Sequence, residues 1–470
     1  MEKLTRKYGL MTAICMVVGT VIGSGIFFKG QTMLERTGGN LPVGILAWAV
    51  TGIIMVACAL QFSVMATKYQ KVNGVVDYAE ATCGKRYAYY LAWFLVNVYY
   101  PAMTSVLSWV SARYFGVIFG WDITGGEVMT LAGVFLIAVY TMNALAPKLA
   151  GKFQTSATFI KLVPIVLMAV VGTIVGFARG TLTYNFTHIA SGSDSVSVGS
   201  GLFAGVVAAV FAYEGWICAT SINAELKDPK KNLPLALIIG SIVVIIAYVL
   251  YNIGLAGGAK SDVLMTDDGV YVAFKNVFGA VGGTLLNICV VVSCLGTLNG
   301  LMMAETRGMY ALAVRNEGPK PKLFSQVDEV TNMTTNSSVW GLLITVLWLL
   351  YFYGANLTSG WFGLFNFDSS ELPIITIYAM YIPMFIVWMK KEKELSVFKR
   401  FVLPILAIIA CAIMVFAAVY AHGILPFKNS ETFSFPVLFY LIIFAVIMGI
   451  GVIFDVLKTK REKAPNKNND

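Results

Sequence analysis

Apolar stretches of about 20 residues, the length at which a helix crosses a bilayer core, recur along the whole chain with short polar segments between them. Nine carry no Asp, Glu, Lys or Arg: Leu41 to Thr67, Tyr87 to Ala112, Val128 to Pro147, Asn232 to Ala259, Asn276 to Ala304, Val330 to Phe367, Leu372 to Met389, Phe401 to Phe427 and Thr432 to Phe454. Three more, Gly9 to Phe28, Phe153 to Phe177 and Val198 to Ala224, bring the count to twelve, and two of these enclose a single charge, Lys161 and Glu214. The pattern predicts an all-α membrane protein of twelve transmembrane helices. No linker rich in Pro, Ser or charge divides it, so residues 1–457 read as one transmembrane domain and the polar 458–470 as a disordered tail. The connections Gly180 to Val198 and Lys260 to Phe278 are long enough to cap the outer mouth. Apolar spacing within the second predicts a short helix over Gly269 to Phe278.

Composition agrees: 58% of the 470 residues are hydrophobic and 13% charged, with mean hydropathy +0.75, whereas soluble domains run near a quarter charged. A net charge of +9 suggests nucleic acid until its placement is considered. With the N-terminus in the cytoplasm, 26 of the 34 Lys and Arg fall on the inner side. Outside lie Lys29, Arg36, Arg113, Arg179, Lys260, Lys275 and Lys428, and Lys161 sits within a span. This bias orients the chain in a cell membrane with both termini cytoplasmic, and it points to a lipid bilayer rather than nucleic acid as the medium. The first apolar run continues into a loop and a second span, so it reads as an uncleaved signal anchor. All seven cysteines, Cys218 among them, fall in spans or on the inner side with no CxxC pair, which argues against a structural disulfide.

Two spans depart from ordinary apolar helices, and in the same manner. The first reads Gly19-Thr-Val-Ile-Gly23-Ser24-Gly25-Ile-Phe27 and the sixth Phe211-Ala212-Tyr213-Glu214-Gly215-Trp216. Unwound backbone is tolerable at membrane depth only where protein or a water-filled cavity receives its polar groups, and paired breaks in corresponding halves point to a transport site. Spans one to five and six to ten then form two inverted repeats. A break at Gly23-Ser24-Gly25 leaves amides at the positive end of a half-helix, which suit a carboxylate; alternatively the GxxxG spacing of Gly19 and Gly23 serves only close packing. Carbonyls of Phe211, Ala212 and Glu214 would accept from an ammonium group, with Phe211 or Tyr213 closing over the ligand. Together the breaks match the two ends of an α-amino acid. A carboxylate at the depth of Glu214 costs ~3 kcal/mol or more unless solvated or partnered; it binds a cation, carries a proton or stabilises the break, and the last is favoured. Lys161 is equally deep, either a fixed cation or a proton donor, with snorkelling as the plain alternative. Pro164 nearby frees a helix carbonyl. Span eight offers hydroxyls at Ser293 and Thr297 and close approach at Gly296 and Gly300. The two histidines, His188 and His422, are expected near the outer surface, distant from any buried Ser, Cys or paired carboxylates, which argues against metal or nucleophilic catalysis.

Three strings, G-x-x-x-G-S-G-I-F at Gly19 to Phe27, F-A-Y-E-G-W at Phe211 to Trp216, and E-x-K-D-P-K-K-N-L-P at Glu225 to Pro234, resemble the amino acid, polyamine and organocation (APC) transporter superfamily. Ser293-Cys-Leu-Gly296-Thr297-Leu-Asn-Gly300 followed by Arg307 fits as well. The nearest branch is the L-type amino acid transporters and their bacterial relatives, of alanine/serine/cysteine or serine/threonine exchanger type. The resemblance implies a LeuT-like core of five plus five inverted repeats with discontinuous helices one and six. It implies a substrate set of Val21, Ser24, Gly25, Ile26, Phe211, Ala212, Glu214 and Cys294: the carboxylate at Ser24 and Gly25, the amino group at the carbonyls of Val21, Phe211 and Glu214, and Phe211 as an aromatic gate. It also implies that Lys161 stands in for a sodium ion, touching the carbonyls of Gly19 and Ile22 and the hydroxyl of Ser293. The side-chain pocket is expected around Asn97, Tyr100 and Ser105 of span three, with Cys294 and span ten. Tyr114 to Glu127 lacks the cysteine by which animal relatives join an accessory glycoprotein, so no disulfide-linked subunit is expected, and neither metal nor organic cofactor is implied. The expected function is sodium-independent exchange of neutral L-amino acids by alternating access. The alternatives are proton-coupled symport through Lys161, or, because Glu214 stands where neutral-substrate relatives often carry a smaller or uncharged residue, exchange of cationic amino acids or polyamines.

Overall fold

A computed structural model describes residues 9–69, 74–190, 196–216, 226–329, 333–358, 360–429 and 433–463. Cys218, Glu225, the second half of the predicted sixth span and residues 464–470 of the tail lie outside the described residues. Within them the chain is α-helical, with no β-strand. Among the described residues nine helices are long and apolar enough to cross a membrane: Leu41–Lys68, Gly126–Leu145, Lys148–Arg179, Pro229–Gly258, Gly269–Ala313, Thr335–Leu357, Leu372–Lys391, Phe398–Lys428 and Pro436–Thr459. The pair Leu10–Val21 and Gly25–Arg36, bent by 46° across a short break, makes up to ten. Helix also covers the other two predicted spans, but interrupted. Lys85–Phe94 passes through a π-turn at Leu95–Tyr99 into Tyr100–Ile118, and Val198–Val210 ends in a single 3-10 turn at Phe211–Tyr213. Ordinal names below follow the twelve predicted spans.

Local sequence explains the ends. Asn40 caps span two by accepting from the Val43 amide at 3.2 Å, with Pro42 in the first turn where a missing N–H costs nothing. The predicted helix at Gly269 to Phe278 is present, set off from span eight at Gly279, whose φ of 76° is a conformation glycine adopts without strain. Span nine is shorter than the sequence suggested: regular helix runs over Thr335–Phe352, then a π-turn at Tyr353–Leu357 and a 3-10 turn at Gly363–Phe365. In the other outer connection, Thr181–Thr187 is helical, and Asn185 donates to the Ala256 and Ala259 carbonyls at 2.7 and 2.9 Å, closing the end of span seven.

The helices pack as two groups. Span seven lies along spans one and two, and span six against span two; span three lies against spans four, eight and nine, with span five between seven and eight. The two broken helices therefore face the second group across one seam, and the site lies in it.

Candidate functional site

Both breaks form where the sequence removes side chains. The first helix ends at Val21, Ile22 is extended (φ −66°, ψ 106°), and a new helix starts at Gly25 with Ser24 at its cap. Phe27 and Phe28 donate to the Ser24 carbonyl, so the amides of Gly25 and Ile26 stand at the helix start without an intrahelical acceptor. In span six, Glu214 is extended (ψ 159°) and Gly215 has φ +102°. The two breaks touch. A Cβ on Gly25 would lie 2.4 Å from Cα of Ala212, and one on Gly23 would lie 2.4 Å from Oγ1 of Thr297 in span eight.

A tyrosine from span seven ties them together. The Tyr248 hydroxyl lies 2.9 Å from the Val21 carbonyl and 2.8 Å from that of Ala212. One buried side chain thus spans both unwound segments, and each carbonyl keeps a second lone pair. Tyr248→Phe is expected to remove about 1 kcal/mol of stabilisation between the breaks, lowering the transport rate several-fold while melting temperature stays near that of the parent; an unchanged rate would make the bridge incidental.

Between the breaks and spans three, five and eight lies a cavity of about 140 Å³. Of the predicted residues, Gly19, Val21, Ser24, Gly25, Phe211, Glu214 and Lys161 line it. Ile22, Ile26, Ala212, Ser293 and Cys294 are buried in the packing behind. The Lys161 ammonium donates to the Gly19 carbonyl. The other contacts expected of it are not formed: Ile22 serves as the cap, its amide bonded to Val18, and the Ser293 hydroxyl is buried without a hydrogen-bond partner. Lys161 itself sits at the junction of the helices Pro147–Ile160 and Leu162–Leu167, with helical backbone angles. The Tyr99 hydroxyl donates to Glu214, whose Oε2, like Oγ of Ser24, is buried with no partner. These two oxygens lie on the cavity wall, where a ligand could meet them.

The side-chain pocket differs from expectation. Span three contributes Tyr99, Met103 and Leu107 instead of Asn97, Tyr100 and Ser105, because the π-turn Leu95–Tyr99 inserts a residue and turns the helix face. Asn97 points away, bonded to Trp93 and Trp340, and Ser105 bonds its own helix at Ala102. Gln154, Thr297, Gly300, Leu301 and Ala304 complete the lining. Of these only Thr297 and Gly300 stood out in the sequence, and a lone glutamine such as Gln154 gave no signal.

Above the cavity the structure is closed. Phe211 packs edge-on to Phe28 at 5.9 Å, and Phe28 to Trp109 at 5.6 Å. Lys29, expected in an outer loop, is only 1% exposed. It binds Glu371 at 2.7 Å and Ser370 at 2.8 Å, and its ammonium lies 5.7 Å from the Phe211 ring centre. Arg36 and His422 reach the same carboxylate at 3.2 and 2.8 Å. His422 is therefore buried against the Glu371 carboxylate, contrary to the expected position at the outer surface. Hydropathy places each group at a span end but cannot show that ends remote in sequence meet. Arg113, also assigned to a loop, is buried against Gln31 and the Asp267 carbonyl. Lys29, Arg36, Arg113 and His422 thus tie the roof to spans three, ten and eleven. Among the described residues no three His, Cys, Asp or Glu side chains converge as a metal site requires.

Residues 8–453 match the amino acid permease family of the APC superfamily. The chain belongs to that family. Among its relatives is the serine/threonine exchanger SteT of Bacillus subtilis (strain 168), 29% identical over 326 residues, which are 69% of this chain and 72% of SteT. The human cystine/glutamate transporter is 28% identical over 327 residues, 69% of this chain and 64% of that protein. The human b(0,+)-type amino acid transporter 1 is 26% identical over 420 residues, 88% of this chain and 83% of its own length. The fold is similar to that of MhsT, solved in complex with L-phenylalanine, with a TM-score of 0.57 at 15% identity over 90% of this chain and all of that one. The permease is thus a LeuT-like helical bundle, its first helix interrupted between Val21 and Gly25 and its sixth unwinding after Tyr213.

Proposed function

We propose that this permease is a sodium-independent exchanger of neutral L-amino acids, working by alternating access across a cell membrane with twelve spans and both termini cytoplasmic. The observation that carries the reading is the meeting of the two breaks. The Gly25 and Ile26 amides and the Ser24 hydroxyl suit a carboxylate. The carbonyls of Val21 and Phe211, two residues lining the same cavity, suit an ammonium group. A cavity of about 140 Å³ favours a small side chain, in keeping with a relative named as a serine/threonine exchanger. Sodium independence rests on Lys161: a tethered ammonium on the Gly19 carbonyl supplies the positive charge that a sodium ion would bring between spans one and five. The cavity runs toward the start of span five and the end of span eight, the cytoplasmic side in this orientation, beneath a closed roof. No accessory subunit is assigned.

Exchange in proteoliposomes tests this. Labelled serine should enter only vesicles preloaded with amino acid, at the same rate with sodium or choline outside. Uptake into empty vesicles driven by a sodium or pH gradient would overturn it.

A second reading, exchange of cationic amino acids, draws on one observation: Oε2 of Glu214 is buried at the cavity wall without a partner. If that oxygen receives a substrate ammonium, Glu214→Gln should weaken competition by lysine or arginine about tenfold or more, the size of one charge-assisted bond, and leave serine competition within twofold. Equal loss for both classes would assign Glu214 to the break itself.

A further inference from the structure

Outside the substrate cavity, an apolar groove of about 730 Å³ lies between spans three, nine and twelve. One wall is the stripe Ile443, Ile447, Ile450 and Phe454 of span twelve, spaced four, three and four residues apart. It is about 16 Å long at the rise of a helix, close to half of a ~30 Å hydrocarbon core and so to the depth of one leaflet. The floor has no unmet polar group. The indoles of Trp340 and Trp348 donate to the side-chain and backbone oxygens of Asn97 at 3.2 and 3.0 Å, and that of Trp93 to the Ile447 carbonyl at 2.9 Å. A polar occupant would find nothing to bond, whereas a hydrocarbon chain loses nothing. The stripe ends beside charge. Asp455, next to Phe454, pairs with Arg86 at 2.7 Å, and both Arg86 and Lys85 are exposed.

We propose that this groove holds one acyl chain of an anionic phospholipid from the leaflet on the Arg86 side, with the phosphate against Lys85 and Arg86. A second copy of the chain fits poorly, because close helix association in lipid uses small residues and the groove is walled by Ile, Leu, Phe and Trp. The lipid would buttress the two tryptophans that hold Asn97 within the π-turn, at whose far end Tyr99 lines the substrate cavity. The proposal needs the chain to cross a bilayer and is independent of which amino acid it carries.

Native mass spectrometry of the purified full-length transporter, offered phosphatidylglycerol or phosphatidylcholine with identical chains, tests it. The parent should retain one phosphatidylglycerol. Ile447→Trp, which fills the groove, should lower the retained fraction about tenfold, and Arg86→Gln should bring retention of the two lipids level. Leu347→Trp, from the opposite wall, repeats the first measurement if Ile447→Trp is not monodisperse. Retention undiminished in a folded groove variant, equal retention of both lipids by the parent, or a lipid-free dimer that Ile447→Trp splits would each overturn the assignment.

Discussion

Gly25→Ala is expected to abolish amino acid binding, and with it transport. The added methyl would lie 2.4 Å from Cα, 2.9 Å from Cβ and 3.0 Å from the amide nitrogen of Ala212. These are mostly backbone atoms, which cannot swing aside as a side-chain tip does, so the two breaks have to part. Parting them moves the Gly25 and Ile26 amides away from the sixth span, whose carbonyls are proposed to take the other end of the same zwitterion. Hydrogen bonds to charged groups contribute about 1.5–3 kcal/mol each. Losing the register of two such donors therefore costs about 3 kcal/mol or more, upward of a hundredfold in Kd. Gly30→Ala, one turn further along the same half-helix, is the control. Its methyl would meet only Asn252 Oδ1, at 3.6 Å, an ordinary contact, and binding should stay within threefold. Equilibrium binding of labelled amino acid to the purified variants decides the matter. Near-parental affinity in Gly25→Ala would mean that the carboxylate sits elsewhere.

The breaks were legible in the sequence because glycine at membrane depth sacrifices packing and helix propensity at once, so Gly23, Gly25 and Gly215 stand out from Leu- and Val-rich surroundings. Lys161 was legible for the complementary reason, as the sole charge in its apolar span. What stayed hidden depends on register or on distant pairing. Tyr248 is one tyrosine among 22, and nothing local says that its hydroxyl reaches two breaks rather than lipid. The π-turn at Leu95–Tyr99 has no strong compositional mark, yet it decides that Tyr99 and Met103, not Asn97 and Tyr100, line the cavity. The roof escaped notice because charges near span ends are ordinarily solvated. Only three-dimensional packing brings Lys29, Arg36 and His422 onto Glu371, where a carboxylate shielded from water is tolerable because Lys29 and Arg36 pair with it.

Lys161→Ala should leave a folded transporter that scarcely moves substrate. Gly19 lies in the last turn of the first half-helix, whose C-terminal carbonyls lack intrahelical donors and carry the negative end of its dipole. The Lys161 ammonium is the cation that meets them. Removing it leaves a buried carbonyl without its donor, costing about 1–3 kcal/mol, and unties span five from the helix that must swing in alternating access. The loss should therefore fall on turnover: exchange of labelled serine in proteoliposomes down about thirtyfold or more, with reconstitution yield close to that of the parent. Lys161→Arg keeps the charge but presents a broad planar fork where the small cavity admits a point charge, so only partial recovery is expected. The same variants separate coupling from positioning. A fixed cation gives a parental exchange rate that is flat over the pH range in which the protein stays folded, whereas a lysine that releases its proton each cycle makes a pH gradient alone drive uptake. Undiminished exchange by Lys161→Ala would remove the lysine from the mechanism, and with it the physical basis for sodium independence.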